Sequence, residues 1–214
     1  MHGIGASARS FGPLASRLAG WGHVFALDLP GFGRSPRPTE PVSIAELARV
    51  VADVITANGL ALPVVVGHLM GAQIVTELAA SHPGLVRQAV LLGPVANADE
   101  RSLWWHAARL LQNSAHETAR VDALLAGDYA RCGPRRYAAM LPHLLGYRIE
   151  ERLTAVTDPV VIIRGAKDPI VPLDWTRSLT SVAPQARMHE ITGAAHAVMY
   201  THPAKVAAQC HRTR

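Results

Sequence analysis

Short runs of β-branched and other apolar residues recur along this chain, separated by stretches of helical period, and that alternation constrains its fold more than any other feature. The runs are His23–Leu29, Pro63–Gly67, Gln88–Gly93, Pro159–Arg164 and Ala186–Ile191. Several are near-continuous Val, Ile and Leu, as strands buried on both faces must be. Strands joined through helices pair in parallel, with the helices covering the sheet. The pattern predicts a three-layer α/β/α fold around a mostly parallel sheet. A length of 214 residues suits one domain with a lid-sized insertion. With 49% hydrophobic and 17% charged residues, the chain can fill a core of that size.

The clearest helix is predicted from Ile44 to Asn58. Ser43 and Glu46 have capping-box spacing, and Ile44, Leu47, Val51, Val54 and Ile55 share one face. Asn58-Gly59 then supplies a stop. A second helix, Met70 to Ser81, must begin directly after the strand ending at Gly67. From Asn97 to Arg152 the alternation breaks. Trp104, Trp105, Leu110, Leu111, Leu124, Leu125, Tyr137, Leu141, Leu144 and Leu145 fall at helix-like spacing, punctuated by Gly127, Gly133-Pro134 and Gly146. This predicts three or four short amphipathic helices capping the C-terminal edge of the sheet and walling a pocket. The expected division is a core of residues 1–96 and 153–214 with a cap of residues 97–152.

A net charge of +5 is carried mainly by arginine, scattered apart from a loose group at Arg131, Arg135 and Arg136. No stacking aromatics are interleaved with it, so a solvated surface, not a nucleic-acid face, is expected. The longest apolar runs fall far short of a membrane span, which argues against a membrane partner. Two cysteines, Cys132 and Cys210, form neither a disulfide framework nor a metal-ligand spacing. Reduced thiols and the lack of a leader pattern point to a cytoplasmic protein with no metal or cofactor.

Gly67-His68-Leu69-Met70-Gly71 lies between a strand and a helix with no room for a loop. Flanking glycines permit a sharp bend that lifts the central side chain above the sheet. This segment resembles the nucleophile elbow of the α/β-hydrolase superfamily, G-x-S-x-G, matching at both glycines and differing at the serine. His2-Gly3-Ile4-Gly5 is similar to the family's oxyanion loop, and Asp28-Leu29-Pro30-Gly31-Phe32-Gly33-Arg34-Ser35 to its strand-four signature. Gly165-Ala166-Lys167-Asp168 resembles the acid-bearing segment, and Gly193-Ala194-Ala195-His196 the histidine loop.

The resemblance assigns roles. His196 would take a proton from a hydroxyl nucleophile, with Asp168 orienting and stabilising the imidazole. The backbone N–H groups of Ile4 and Met70 would form the oxyanion hole. Trp104, Trp105 and Leu141 are the candidates for the substrate pocket, and they suggest small apolar substrates. His68 is expected to pack beside the elbow; His82 and His202, each before a proline, read as turn positions. Leu69 has neither a proton to lose nor a lone pair to attack with, so the expected function is an ester- or acyl-type hydrolase lacking its nucleophile. Two other readings follow from the same residues: a non-catalytic small-molecule-binding protein, or a truncated nonfunctional fragment.

The family places three strands ahead of the oxyanion loop, and here that loop begins at Met1. The third of those strands lies between the counterparts of His23–Leu29 and Pro63–Gly67. Its absence implies either a gap or direct pairing of those two runs, and a marginally stable chain.

Overall fold

The computed structural model describes residues 1–211. Four parallel strands form its sheet in the order β1-β2-β3-β4: β1 (Val64–His68), β2 (Gln88–Leu92), β3 (Val160–Gly165) and β4 (Ala186–Ile191). The register runs Val65↔Ala89 and Leu91↔Ile162, and continues as Ile162↔Met188.

The two-residue alternation of the strands divides the core in two. Val65, Ala89, Leu91, Val160 and Ile162 face a layer made by α2 (Ile44–Ala57), α3 (Met70–Ser81), α7 (Ile149–Leu153) and α8 (Leu173–Val182). Val90, Leu92, Val161 and Ile163 face the other way, onto α1 (Gly12–Leu18), α9 (Val198–Thr201) and α10 (Pro203–His211). Each fully buried Leu, Ile or Val contributes roughly 1.5–3 kcal/mol over its exposed state. That makes these stripes the main reason the layers stay together.

Helix α2 starts on the capping box: the Glu46 N–H donates to Ser43 Oγ at 3.2 Å, and the Ser43 N–H to the Glu46 carboxylate at 2.8 Å. Three helices follow β2 in the stretch expected to form the cap, α4 (Leu103–Ser114), α5 (Ala119–Cys132) and α6 (Pro134–Gly146), before the chain returns to the core layer at α7. Polar ties fasten them to the core. Gln73 donates to the carbonyls of Val95 and Leu144 at 3.0 and 2.8 Å, and Ser7 to Asp128 at 2.6 Å. Of the arginine group, Arg136 makes such a tie, donating to the Pro30 carbonyl at 3.0 Å, and Arg131 pairs with Asp128 within α5.

One expected strand is corrected. Residues 23–29 form no ladder. A cavity of about 500 Å³ separates them from β1, lined by Val24, Phe25, Leu27, Val64 and Val66 among others. An apolar, β-rich run does not make a strand when no neighbour lies one strand-width away, and of the two expected outcomes, gap or direct pairing with Pro63–Gly67, the gap is found. Met1 occupies the end of this gap. Its amino group donates to the Val66 carbonyl at 2.5 Å and its carbonyl accepts the His68 N–H at 2.9 Å, one residue of parallel pairing on the side of β1 away from β2. Burial there pushes the Met1 ammonium down to about 5.

Candidate active site

The bend after β1 is tight because its glycines are pressed by backbone. A Cβ on Gly67 would lie 2.1 Å from the Gly71 carbonyl oxygen, and one on Gly71 would lie 2.4 Å from that of Met1. Between them Leu69 adopts φ 56°, ψ −112° as the residue capping α3. A branched residue at positive φ is strained by about 1–3 kcal/mol and persists only where its surroundings fix it. Here the β1–α3 junction does so, with the Leu69 N–H donating to the Leu92 carbonyl at 3.0 Å. The Leu69 side chain turns onto the segment at Gly3: a Cβ on Gly3 would meet its Cβ at 3.0 Å and its methyls at 3.4 and 3.5 Å. Ile4 and Met70, beside it, are fully buried.

Asp168 and His196 come together from the loops after β3 and β4. The His196 Nδ1–H donates to Asp168 Oδ2 at 2.7 Å. The other carboxylate oxygen accepts the N–H groups of Ile170 and Val171 at 2.9 and 3.3 Å, so the acid is held on both sides. The two loops pack closely enough that a Cβ on Gly165 would strike the Ala195 carbonyl at 2.0 Å. Gly93 leaves the space the imidazole fills; a Cβ there would lie 2.7 Å from His196 Cε1. Burial by itself would lower the pKa of His196. The charge and hydrogen bond of Asp168, with the charge of Glu117, outweigh that and raise it above the ordinary 6.5.

His68 lies against this pair, its ring 4.4 Å from that of His196. Burial, with the neighbouring His196 charge, holds it well below the usual histidine range, so it is a neutral packing partner. His82 and His202 sit at the ends of α3 and α9, away from the pair.

Leu69, His68 and His196 line a small cavity of about 40 Å³ whose far wall is Leu110 of α4 and Val121, Leu124 and Leu125 of α5. The predicted pocket residues are corrected. Trp104 and Trp105 are 79% and 47% exposed on the outer face of α4, and Leu141 is packed into the core under α6. Helical spacing marks a stripe of large apolar residues but not which of two adjacent faces turns inward. Two polar lining residues escaped sequence reading, Asn113 and Glu117 near the α4–α5 junction. Glu117 Oε1 accepts the Ala197 N–H at 2.7 Å, which ties the cap to the histidine loop. Nothing in the local sequence distinguishes them from surface polar residues.

Among the described residues no group of three or more His, Cys, Asp and Glu side chains could hold a metal, and no helix is long and apolar enough to cross a membrane.

A family model described as the alpha/beta hydrolase family matches residues 1–209. A protein of Azorhizobium caulinodans named as a carbamate hydrolase is 29% identical over 91% of this chain and 82% of its own length. The pimeloyl-acyl-carrier-protein methyl ester esterase of Neisseria meningitidis is 28% identical over 97% and 88%. In three dimensions, a hydrolase of Oleispira antarctica superposes with a TM-score of 0.86 at 14% identity, covering 99% of this chain and 89% of that one.

Proposed function

The chain belongs to the alpha/beta hydrolase family, and from that premise we propose that it is an ester- or acyl-type hydrolase of small, largely apolar substrates arrested at its nucleophile. One observation carries the reading. A buried His196, wired to Asp168 at 2.7 Å, faces the same small cavity as a strained residue 69 on a strand-to-helix bend. In a working enzyme the neutral imidazole would take the hydroxyl proton while backbone N–H groups at Ile4 and Met70 met the oxyanion. Leucine provides no proton and no lone pair, and its side chain covers Gly3, where a substrate carbonyl would settle. Removing the nucleophile of such a triad costs on the order of six decades in turnover. The relatives named as an esterase and a carbamate hydrolase support acyl chemistry as the class.

The test is Leu69→Ser assayed on short-chain p-nitrophenyl esters. Turnover should rise by several decades over the parent chain, and it should increase with pH through a midpoint above the ordinary histidine value, because His196 must be neutral to act. A folded Leu69→Ser protein no faster than its parent overturns the reading. A non-catalytic binding role is favoured by a separate observation, the unpartnered polar atoms around the same cavity.

A further inference from the structure

We propose that the cavity between the cap and the elbow is a binding site for a short primary alkylammonium group, held by Glu117 and Asn113 of the cap and by the ring nitrogens of His68 and His196. The proposal deepens the reading above by naming a ligand class. It rests on that placement of the cap over residue 69, not on turnover.

Four buried polar atoms on lining residues have no hydrogen-bond partner: His68 Nε2, His196 Nε2, Asn113 Oδ1 and Glu117 Oε2. His68, Asn113 and His196 are each more than nine-tenths buried. Leaving such groups unpaired costs roughly 1–3 kcal/mol apiece, so their gathering around one small space marks it as a place for hydrogen-bond donors. Three of them accept. A carboxylate and an amide oxygen can only accept, and the His196 Nδ1–H is already committed to Asp168, which leaves a lone pair on Nε2. His68 is held neutral, so its Nε2 accepts in one of its two tautomers.

A set of acceptors calls for donors. A water supplies two O–H bonds and no charge, whereas a primary ammonium supplies three N–H bonds and a positive charge. Charge favours the ammonium. Glu117 brings a carboxylate to the cavity wall and Asp168 a second one behind His196, and neither imidazole of the site is charged above the histidine range. Size and lining agree. The cavity of about 40 Å³ exceeds the roughly 10–15 Å³ that one water needs, so it admits the head group with part of a short chain. Leu110, Val121, Leu124 and Leu125 offer an apolar wall to a short alkyl tail.

The experiment uses the full chain with Leu69 in place. Propylammonium, propanol and propionate are titrated by calorimetry and by thermal shift, at a pH above the histidine range and below that of alkylammonium. Propylammonium should bind saturably and raise the melting temperature, with propanol at least about tenfold weaker and propionate not bound. Glu117→Gln can keep the Ala197 N–H bond through its amide oxygen while placing an NH₂ donor where Oε2 stood. It should weaken propylammonium about tenfold or more. Asn113→Asp adds a carboxylate and should tighten it. The proposal is overturned if the parent chain shows no saturable binding, if propanol binds as well as propylammonium, or if folded Glu117→Gln binds unchanged. Should Glu117→Gln fail to fold, Asn113→Asp decides, and no gain there overturns the proposal. Because binding is read without turnover, an inactive Leu69→Ser protein leaves this result standing.

Discussion

The two halves of the site are built to different standards. On the side of β3 and β4, the acid and histidine loops are locked by backbone contacts at Gly165 and by three hydrogen bonds to one carboxylate. On the side of β1, the bend keeps its strained shape, but its central side chain cannot do chemistry and the neighbouring sheet edge faces a cavity of about 500 Å³. The contrast separates geometry from reactivity. Backbone packing at Gly67 and Gly71 sustains the elbow whatever residue stands at position 69, because the pressing atoms are carbonyls and not the side chain. Each prediction below strains one half while leaving the other intact.

The largest effect belongs to the intact half. In a Leu69→Ser background, Asp168→Asn should keep the packing but lose the charge that steers His196. Turnover should fall roughly 10⁴-fold, the scale seen when a triad acid becomes an amide. The midpoint of the pH–rate profile should move down, since the Asp168 charge and hydrogen bond are the chief groups raising the His196 pKa. Steady-state kinetics across pH measures both; an unchanged midpoint would separate His196 from the proton transfer.

These two halves were also unequally legible from sequence. Gly165 to Asp168 and Gly193 to His196 stand at strand ends, where a loop residue's position follows from where the strand stops. That Asp168 and His196 meet was expected from the resemblance of these segments to the family's acid and histidine loops, not from their own residues. The four parallel strands and the capping box at Ser43 were readable directly, since period and spacing are local properties. Residues 23–29 form a β-rich apolar run that pairs with nothing, because the strand expected between them and Pro63–Gly67 is absent; the gap, one of the two outcomes that absence implied, is the one found. Trp104, Trp105 and Leu141 misled because the cap's orientation is set by long-range ties such as Gln73 to Leu144 and Ser7 to Asp128. Glu117 was invisible for that reason too: its bond to Ala197 spans 80 residues of sequence.

The edge half buries an amino group that it would be more stable without charging. Burial pushes the Met1 ammonium down from 8.0 to about 5, so charging it there costs on the order of 4 kcal/mol. At pH values below 5 the folded chain carries the full cost of the buried charge; above 8 neither state is charged and the cost is gone. Stability should therefore rise with pH between those limits. Nα-acetylation removes the charge yet retains an N–H to donate to the Val66 carbonyl. The acetylated chain should lose this slope and be more stable than the free chain near pH 5 by up to about 4 kcal/mol. Denaturant melts of both forms across pH measure the effect. Parallel curves would mean that water from the cavity solvates the amino group, and the edge would then be open, not strained.

The smallest effect falls on the cap's outer face, and it sharpens the comparison by showing what does not matter. Trp104 is 79% exposed and touches neither the elbow nor the histidine side. Trp104→Ala should change stability by no more than about 0.5 kcal/mol, as surface substitutions do. Leu141→Ala, one layer inward in the core shared with Met140 and Leu144, leaves a void and should cost about 2 kcal/mol or more. Neither should alter propylammonium binding, because neither lines the cavity. Were Trp104→Ala to weaken that binding, α4 would have to present its other face to the site. Leu110 and Asn113 would then turn outward, and with them the acceptor cluster that makes the cap a partner of His196.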